Sequence, residues 1–332
     1  MVLKLSAITT PKPSLDLVVV LADARVHTGV MSHGKTAKKN QKSTKSPKPA
    51  LSLRSVLRCP PGPVDVSKFD PAATPLFPGK GKADAPAQTA LLAPLMDNLQ
   101  ERLYANGRVD GGPTPKASVL LVLQGMDTAG KSGVVAHVIG LVDPQGISIR
   151  AFKAPTAEER QHDFLWRIRR ALPEPGLIGV FDRSHYEDVL IQRVEAMAPP
   201  DEIEARYGLI NDFERELTAS GTRIIKCYLN MSNGEQKKRI LARLDDPTKY
   251  WKLSTSDLPV RLKWDQYMDA YSVALTRCNT DYAPWYVIPS DKKWYRNWAI
   301  AKILLETLQD MNLTWPPATF DIEAEKAKVK AS

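Results

Sequence analysis

The sequence predicts an α/β fold in which a central parallel sheet is covered by helices. Five short apolar segments alternate with helical segments along the chain, and one of them, Leu177–Phe181, is nearly all apolar. Alternating strands and helices favour a parallel sheet with helices on its faces, and such an apolar run is typical of a buried parallel strand. A third observation is the motif Gly-x-x-x-x-Gly-Lys-Ser at 125–132, between the first strand and a helix. One α/β domain therefore accounts for most of the chain.

The individual elements follow from the spacing of apolar residues. Strands are predicted at Ser118–Leu123, Ile147–Phe152, Leu177–Phe181, Arg223–Leu229 and Trp285–Ile288. Helices are predicted over 91–104, from 131 onward, and over 157–172, 201–219, 234–245, 257–276 and 294–310. The first helix has its apolar residues on one face and ends near Asn106-Gly107, a typical stop signal. The helix from 234 begins with Ser232-x-x-Glu235, the pattern of a capping box.

The two ends of the chain differ in composition from the middle. Residues 1–50 are expected to form a disordered basic tail, because Ser32–Pro49 is rich in Lys, Ser, Thr and Pro. Residues 51–90, rich in Pro, Gly and Ala, are expected to be an extended arm that wraps the body. The main domain is predicted at 91–315 and a C-terminal tail at 316–332. Met31 stays open as an alternative start.

Charge and composition narrow the function classes. Nine basic and two acidic residues lie within 1–50, a net +7 of the total +9, so the remainder is almost neutral. The high pI is therefore poor evidence for nucleic-acid binding, and no nucleic-acid partner is expected. No membrane contact is expected either, since no apolar run approaches the about 20 residues of a membrane span. The three cysteines lack metal-ligand spacing, which favours a reducing, cytoplasmic environment.

Gly125–Ser132 fits the phosphate-loop pattern at every position. It follows an apolar strand and opens a helix, which is the context in which such a loop binds phosphate. Gly125 and Gly130 let backbone N–H groups surround an anion. Lys131 can then reach a terminal phosphate, and the Ser132 hydroxyl can ligate Mg²⁺. The alternative is a glycine-rich turn with an exposed lysine.

Three charged residues near this loop indicate phosphoryl transfer with Mg²⁺. Asp182 follows the strand 177–181, and an acid at the end of a neighbouring strand is where phosphate-loop enzymes hold Mg²⁺. Arg183 can form a forked contact with phosphate oxygens, with a structural ion pair as the alternative. Asp127 lies inside the loop, where a carboxylate beside phosphate needs a metal ion or a cation near it. We therefore predict that Asp127 and Asp182 bind Mg²⁺. For Asp127 two alternatives stay open: it positions the accepting phosphate, or it is a solvated turn residue that caps the loop.

A basic helical segment is predicted to form a lid over the phosphates. Arg239 and Arg243 lie one turn apart on the helix from 234, and the polar segment Asp245–Lys252 leads to the next helix. A lid over about 235–262 would exclude water and bring arginines to the transferred group. A solvated charged face is the alternative. The lack of an Asn-Lys-x-Asp motif argues against a GTPase and favours a nucleotide kinase.

Six segments together resemble the second family of polyphosphate kinases. They are Gly125–Lys131, Phe152–Thr156, Val180–Leu190, Glu235–Arg239, Asp245–Lys252 and Ala283–Tyr286. The resemblance extends over Leu91–Leu313. It implies a three-layer P-loop kinase fold like that of thymidylate kinase, with a central parallel sheet and a helical lid. It also implies transfer of phosphate between inorganic polyphosphate and nucleotides with Mg²⁺.

The resemblance implies a role for each predicted site residue. Asp127 and Asp182 would organise the metal and the nucleotide phosphates, and Lys131 and Arg183 would clamp the transferred phosphoryl group. The phosphate path would be lined by Lys153, Arg239 and Arg243. Many members of the family have Asn in place of Asp182. The segment His185–Val189 is more similar to members that accept nucleoside monophosphates as well as diphosphates.

The sequence thus predicts a cytoplasmic phosphotransferase that uses polyphosphate with AMP, ADP and, as an open alternative, GDP. A homo-oligomer is expected. Direct transfer needs no covalent intermediate, and His185 is expected to be a packing residue. Two other functions stay open: an ATP-dependent nucleoside monophosphate kinase of the same fold, and a non-catalytic polyanion-binding protein that uses the basic tail.

Overall fold

A five-stranded parallel sheet forms the centre of the computed structural model, which describes residues 51–109, 116–254 and 257–332. The strands are β1 (Ser118–Gln124), β2 (Ile147–Ala151), β3 (Ile178–Asp182), β4 (Thr222–Asn230) and β5 (Trp285–Pro289). Their order is β2-β3-β1-β4-β5, and every neighbouring pair is parallel. The five predicted strands are confirmed to within one residue at each end. The tail predicted for 1–50 lies outside the described residues.

Two groups of helices pack against this sheet. In chain order the helices are α1 (Leu53–Leu57), α2 (Ala85–Ala90), α3 (Ala93–Arg108), α4 (Lys131–His137), α5 (Trp166–Arg169), α6 (Ile191–Val194), α7 (Pro200–Ala219), α8 (Asn233–Leu244), α9 (Asp257–Leu262), α10 (Trp264–Arg277), α11 (Lys293–Asp310) and α12 (Ile322–Ala331). Helix α11 packs on α3, α4, β4 and β5, whereas α6 packs on α7 and α10, and α7 packs on β4. The α/β fold class is confirmed.

The core lies around the central strand. All seven residues of β1 are buried, as are Ile178–Phe181 of β3. A strand with apolar residues on both faces is stable only between two helical layers, so the apolar run of β1 places it at the centre. Within the part of the chain that the structure describes, no helix is both long and apolar enough to span a membrane.

The helix predicted over 157–172 is wrong. Only α5 and a single turn at Glu159–Gln161 are helical there. The backbone is extended at His162, and the Asp163 carboxylate accepts the N–H of Leu165. Side chains such as Asp compete with helical hydrogen bonds in this way and interrupt the helix. The predicted helix 257–276 is likewise two helices, separated at Lys263.

The segment 51–90 is less extended than predicted. It contains α1, α2 and a turn at Val66–Lys68, because Ser52 caps α1 and two leucines of that helix, Leu53 and Leu57, are buried. After α1 the chain runs along the edge strand β5: the Cys59 N–H donates to the Trp285 carbonyl at 2.8 Å, and Arg58 bridges Tyr286. At the other end, the predicted tail 316–332 includes the exposed helix α12.

A buried ion pair links α7 to β4. The Lys226 Nζ lies 2.6 Å from the Glu214 Oε2, and both side chains are fully buried. The Lys226 ammonium also donates to the Tyr186 hydroxyl at 2.9 Å and to the Cys278 carbonyl at 2.7 Å. His185 is buried, as expected of a packing residue, with its Nε2 3.2 Å from the Glu214 Oε1, and burial lowers its pKa. This network fastens the turn after β3 to the sheet.

Candidate active site

The predicted site residues follow two neighbouring strands at the same edge of the sheet. Leu123 of β1 pairs with Asp182 of β3, so the loop after β1 and the turn after β3 start side by side. The Arg183 N–H extends this pairing by donating to the Leu123 carbonyl at 3.1 Å. The carboxyl edge of a parallel sheet is where ligands bind in α/β folds. Here it holds the glycine loop, Asp182 and Arg183.

The loop at 125–131 has the backbone of an anion-binding loop. Gly125 and Gly130 have φ angles of 153° and 107°, which L-residues rarely adopt, so glycine is required at both positions. Lys131 is buried, and its Nζ donates to the Gly125 carbonyl at 2.8 Å. Its ammonium therefore lies against the loop itself. Ser132 is exposed on the first turn of α4, where its hydroxyl is available to a ligand.

Asp127 and Arg183 form an ion pair, with the Asp127 Oδ1 2.7 Å from the Arg183 Nη2. Arg183 has a φ of 65°, which costs a non-glycine residue about 1–3 kcal/mol. Burial alone would raise the pKa of Asp127. The positive charges of Lys131, Arg183 and Arg243 and the hydrogen bond from Arg183 outweigh burial and lower that pKa. Asp127 is therefore ionised at neutral pH.

Three carboxylates act on the charge of the Arg183 guanidinium, and one of them, Asp127, contacts it. Burial works against its charge, but Glu187, Asp127 and Asp182 together raise the pKa of Arg183. Glu187 is a site residue that the sequence analysis missed. It follows Arg183 by four residues in the turn after β3, and burial raises its pKa in spite of Arg183 and Lys131. Its position just after the Asp-Arg pair is the signal that could have identified it.

The carboxylates do not by themselves form a metal cage. Across residues 51–109, 116–254 and 257–332, no group of three or more His, Cys, Asp or Glu side chains could hold a metal ion. Mg²⁺ usually binds to one or two carboxylates and takes its other ligands from water and substrate phosphates. The two carboxylates of Asp127 and Asp182, at the ends of neighbouring strands beside a phosphate loop, fit that mode of binding.

Lys153 and Arg243 lie at the margin of the site. Lys153 is exposed and follows Phe152, whose N–H donates to the Asp182 carbonyl at 3.0 Å. Arg243 is half-buried on α8, donates to the Lys252 carbonyl at 3.2 Å, and contributes to the lowered pKa of Asp127. Lys153 thus follows a residue that pairs with Asp182, and Arg243 lies near enough to Asp127 to act on its charge.

The structure does not place Arg239 on the phosphate path, so that prediction is wrong. Its side chain is buried, and its Nε donates to the Glu235 carboxylate at 2.8 Å. Its Nη atoms donate to backbone carbonyls, namely those of Thr128, Ala129, Ser290 and Asp291. All of its N–H groups are thus used within the protein. Helical spacing predicts that Arg239 and Arg243 share one face of α8. It does not predict that Arg239 packs against the carbonyls of the phosphate loop.

Comparisons with known proteins agree with this geometry. The family model described as polyphosphate kinase 2 (PPK2) matches residues 82–316. The chain is 42% identical over 257 residues to an AMP/ADP-polyphosphate phosphotransferase of Meiothermus ruber, covering 77% of this chain and 93% of that protein. It is 39% identical over 272 residues to an ADP-polyphosphate phosphotransferase of Rhodopseudomonas palustris, covering 77% and 89%.

A solved structure is similar over most of its length. It is polyphosphate kinase 2 from Arthrobacter aurescens TC1, which superposes with a TM-score of 0.81 at 51% sequence identity. The match covers 85% of this chain and 98% of that one. Sequence and fold therefore point to the same group of proteins.

Proposed function

This chain belongs to the polyphosphate kinase 2 family, and we propose that it transfers phosphoryl groups reversibly between inorganic polyphosphate and the adenine nucleotides AMP and ADP. It is an enzyme of the polyphosphate:nucleotide phosphotransferase type. The observation that carries the proposal is the Asp127–Arg183 pair, 2.7 Å apart and beside Lys131 of the phosphate loop. AMP is included because the Meiothermus ruber relative is named for both nucleotides.

Each site residue has a task in this reaction. Lys131 and Arg183 bind the oxygens of the transferred group and neutralise the charge that develops on it. Asp127 keeps the Arg183 guanidinium in place through their ion pair. Lys153 and Arg243 bind further phosphates of the chain. The acceptor is a phosphate oxygen that is already ionised at neutral pH, so transfer requires positioning rather than a general base.

We propose that Mg²⁺ assists this transfer. Asp127 and Asp182 would hold the ion, with the Ser132 hydroxyl as a further oxygen donor. Bound Mg²⁺ would neutralise negative charge on the phosphate groups. The lowered pKa of Asp127 supports this role, because its carboxylate is available as an anion throughout the neutral range.

The remaining expectations extend the proposal. We propose a main domain over 91–315, with a lid over about 235–262 that carries Arg243 and excludes water from the loop. Helix α8 supports the lid, because Gln236 on it donates to the Asp127 carbonyl at 3.1 Å and accepts from Arg261 of α9 at 2.9 Å. A cytoplasmic location, a homo-oligomer and use of GDP are part of the same proposal.

Nucleotide turnover tests the proposal directly. Purified protein with Mg²⁺ and long-chain polyphosphate is offered AMP, ADP, GMP and GDP separately. The wild type should form ADP and ATP, Lys131→Ala and Asp127→Asn should not, and the control Lys330→Ala on exposed α12 should match the wild type. No product from polyphosphate, but transfer from ATP to AMP, would instead support the ATP-dependent kinase. Polyphosphate binding without any transfer would support the polyanion-binding protein.

A further inference from the structure

A second arginine, Arg296 of α11, lies beneath the phosphate loop. Its side chain is only 2% exposed, and its Nη1 donates to the Ala129 carbonyl at 2.7 Å. Its Nη2 and Nε donate to the Asn297 Oδ1 at 2.8 and 3.2 Å. The guanidinium plane is therefore held at both ends, with one edge directed at the loop.

Three successive carbonyls of the loop are held by side chains of α8 and α11. The Asp127 carbonyl accepts from Gln236, the Thr128 carbonyl from Arg239, and the Ala129 carbonyl from both Arg239 and Arg296. In a trans peptide the carbonyl and the following N–H point in opposite directions. A carbonyl held toward α11 therefore directs the N–H of the next residue away from α11. For Ala129 the next residue is Gly130, which directly precedes Lys131 in the phosphate motif.

Arg296 brings a positive charge that no carboxylate balances. In the described ranges, no Asp or Glu oxygen lies within ion-pair distance of Arg296, whereas Arg239 is paired with Glu235 at 2.8 Å. Burial, and after it the charge of Arg239, lowers the pKa of Arg296 to about 9. A buried cation without a partner is unfavourable. An anion bound in the loop would offset that cost.

Two glycines leave the room that the guanidinium occupies. A Cβ on Gly130 would lie 1.9 Å from the Arg296 Nη1, and a Cβ on Gly133 would lie 2.8 Å from the Nη2. Gly130 also needs its positive φ, but Gly133 lies within α4 without one. Glycine is unfavourable inside a helix. Space for Arg296 is therefore a specific steric reason for Gly133.

We propose that Arg296 is a positioning residue of the phosphate loop. It holds the Ala129 carbonyl so that the Gly130 N–H faces the bound phosphate, and it supplies positive charge behind the loop that the bound polyphosphate balances. This inference rests on the proposed function for the identity of the anion. It does not rest on phosphoryl transfer, because the contact of Arg296 with the Ala129 carbonyl affects the binding of an anion in the loop and not its reaction.

The contribution of the Arg296 charge is tested by calorimetric measurement of tripolyphosphate binding at several salt concentrations. Arg296→Met should weaken binding roughly ten- to hundredfold and reduce its dependence on salt. Arg296→Lys should restore the salt dependence, because the charge returns, but only part of the affinity. A merely structural role would lower the melting temperature and leave both quantities unchanged in the folded protein. That result would overturn the proposal.

Gly133→Ala tests the geometry without changing any charge. The new methyl group should displace Arg296, so we expect tripolyphosphate binding to weaken roughly tenfold while the melting temperature does not fall. The control is Gly208→Ala at an exposed position of α7, where a Cβ meets nothing within 4 Å; it should bind like the wild type. In the Arg296→Met background, Gly133→Ala should have no further effect. An additive effect there would overturn the proposal, whether or not the wild type transfers phosphate from polyphosphate.

Discussion

Replacing Lys226 by methionine is expected to lower the free energy of unfolding by about 3–5 kcal/mol at neutral pH. Methionine retains most of the side-chain volume, so the loss arises from charge and hydrogen bonds rather than from a cavity. The ammonium donates to Glu214, Tyr186 and Cys278 at distances of 2.6 to 2.9 Å. Without it, the fully buried Glu214 carboxylate keeps only neutral donors, the Tyr186 hydroxyl at 2.8 Å and the His185 ring.

The size of this loss should depend on pH in a defined direction. In the wild type, burial would raise the pKa of Glu214, but Lys226 and His185 outweigh burial and lower that pKa. The stabilisation from this carboxylate is thus present above its ordinary pKa and is lost as the pH falls through the lowered value. In Lys226→Met the pKa of Glu214 rises. The cost of burying an unpaired Glu214 carboxylate therefore disappears as the pH falls through this raised pKa. The difference between the two proteins should shrink on acidification.

Urea unfolding at pH 7 and pH 5 measures both effects. Arg215→Met is the control, since it breaks an exposed pair with Asp212 of 2.7 Å and should cost less than about 1 kcal/mol. Glu214→Gln in the Lys226→Met background should recover part of the stability. The reasoning would be refuted if Lys226→Met cost no more than Arg215→Met, or cost the same at both pH values.

Three further predictions concern the site. Arg183→Lys should lower kcat/KM for polyphosphate-dependent ATP formation roughly 10²–10³-fold at an unchanged melting temperature, because an ammonium cannot make a forked contact. An unchanged kcat/KM would mean that the ion pair of Arg183 with Asp127 is only structural. Burial raises the pKa of Glu187, so activity that requires its carboxylate should fall as the pH drops through that raised value. Glu187→Gln should remove this acidic limb of the pH–rate profile. If the limb persists in Glu187→Gln, it arises from another group. EDTA should abolish transfer without changing the melting temperature of the nucleotide-free protein, and turnover that survives EDTA would contradict the metal role of Asp127 and Asp182.

Much of the fold could be predicted because it depends on local rules. The apolar runs that became β1 and β3 could be stable only as buried parallel strands, and their order in the chain brings their carboxyl ends to one edge. Asp127 and Arg183 are 56 residues apart, yet both adjoin these strand ends. Their proximity therefore followed from the sheet alone.

The parts that could not be predicted depend on tertiary contacts. Arg239 has the spacing of a lid arginine, but only the packing of α8 on the loop determines that its guanidinium meets carbonyls instead of phosphates. Glu187 needed the path of the turn after β3 before its closeness to Arg183 could be recognised. The segment 157–172 has a helical charge pattern, but the Asp163 carboxylate and the pairing of Arg167 and Arg169 with other elements determine its shape.

The contact of residues 58–59 with β5 has a consequence for solubility. Strand β5 is one of the two edge strands of the sheet, and all five of its residues are buried. An uncovered, apolar outer strand is a template for pairing with the same strand of another molecule. Arg58 and Cys59 lie along β5 and block pairing of this strand with β5 of another molecule. Loss of residues up to 65 would uncover that strand, and light scattering would register the resulting aggregation, whereas loss of residues 1–50 would leave it covered.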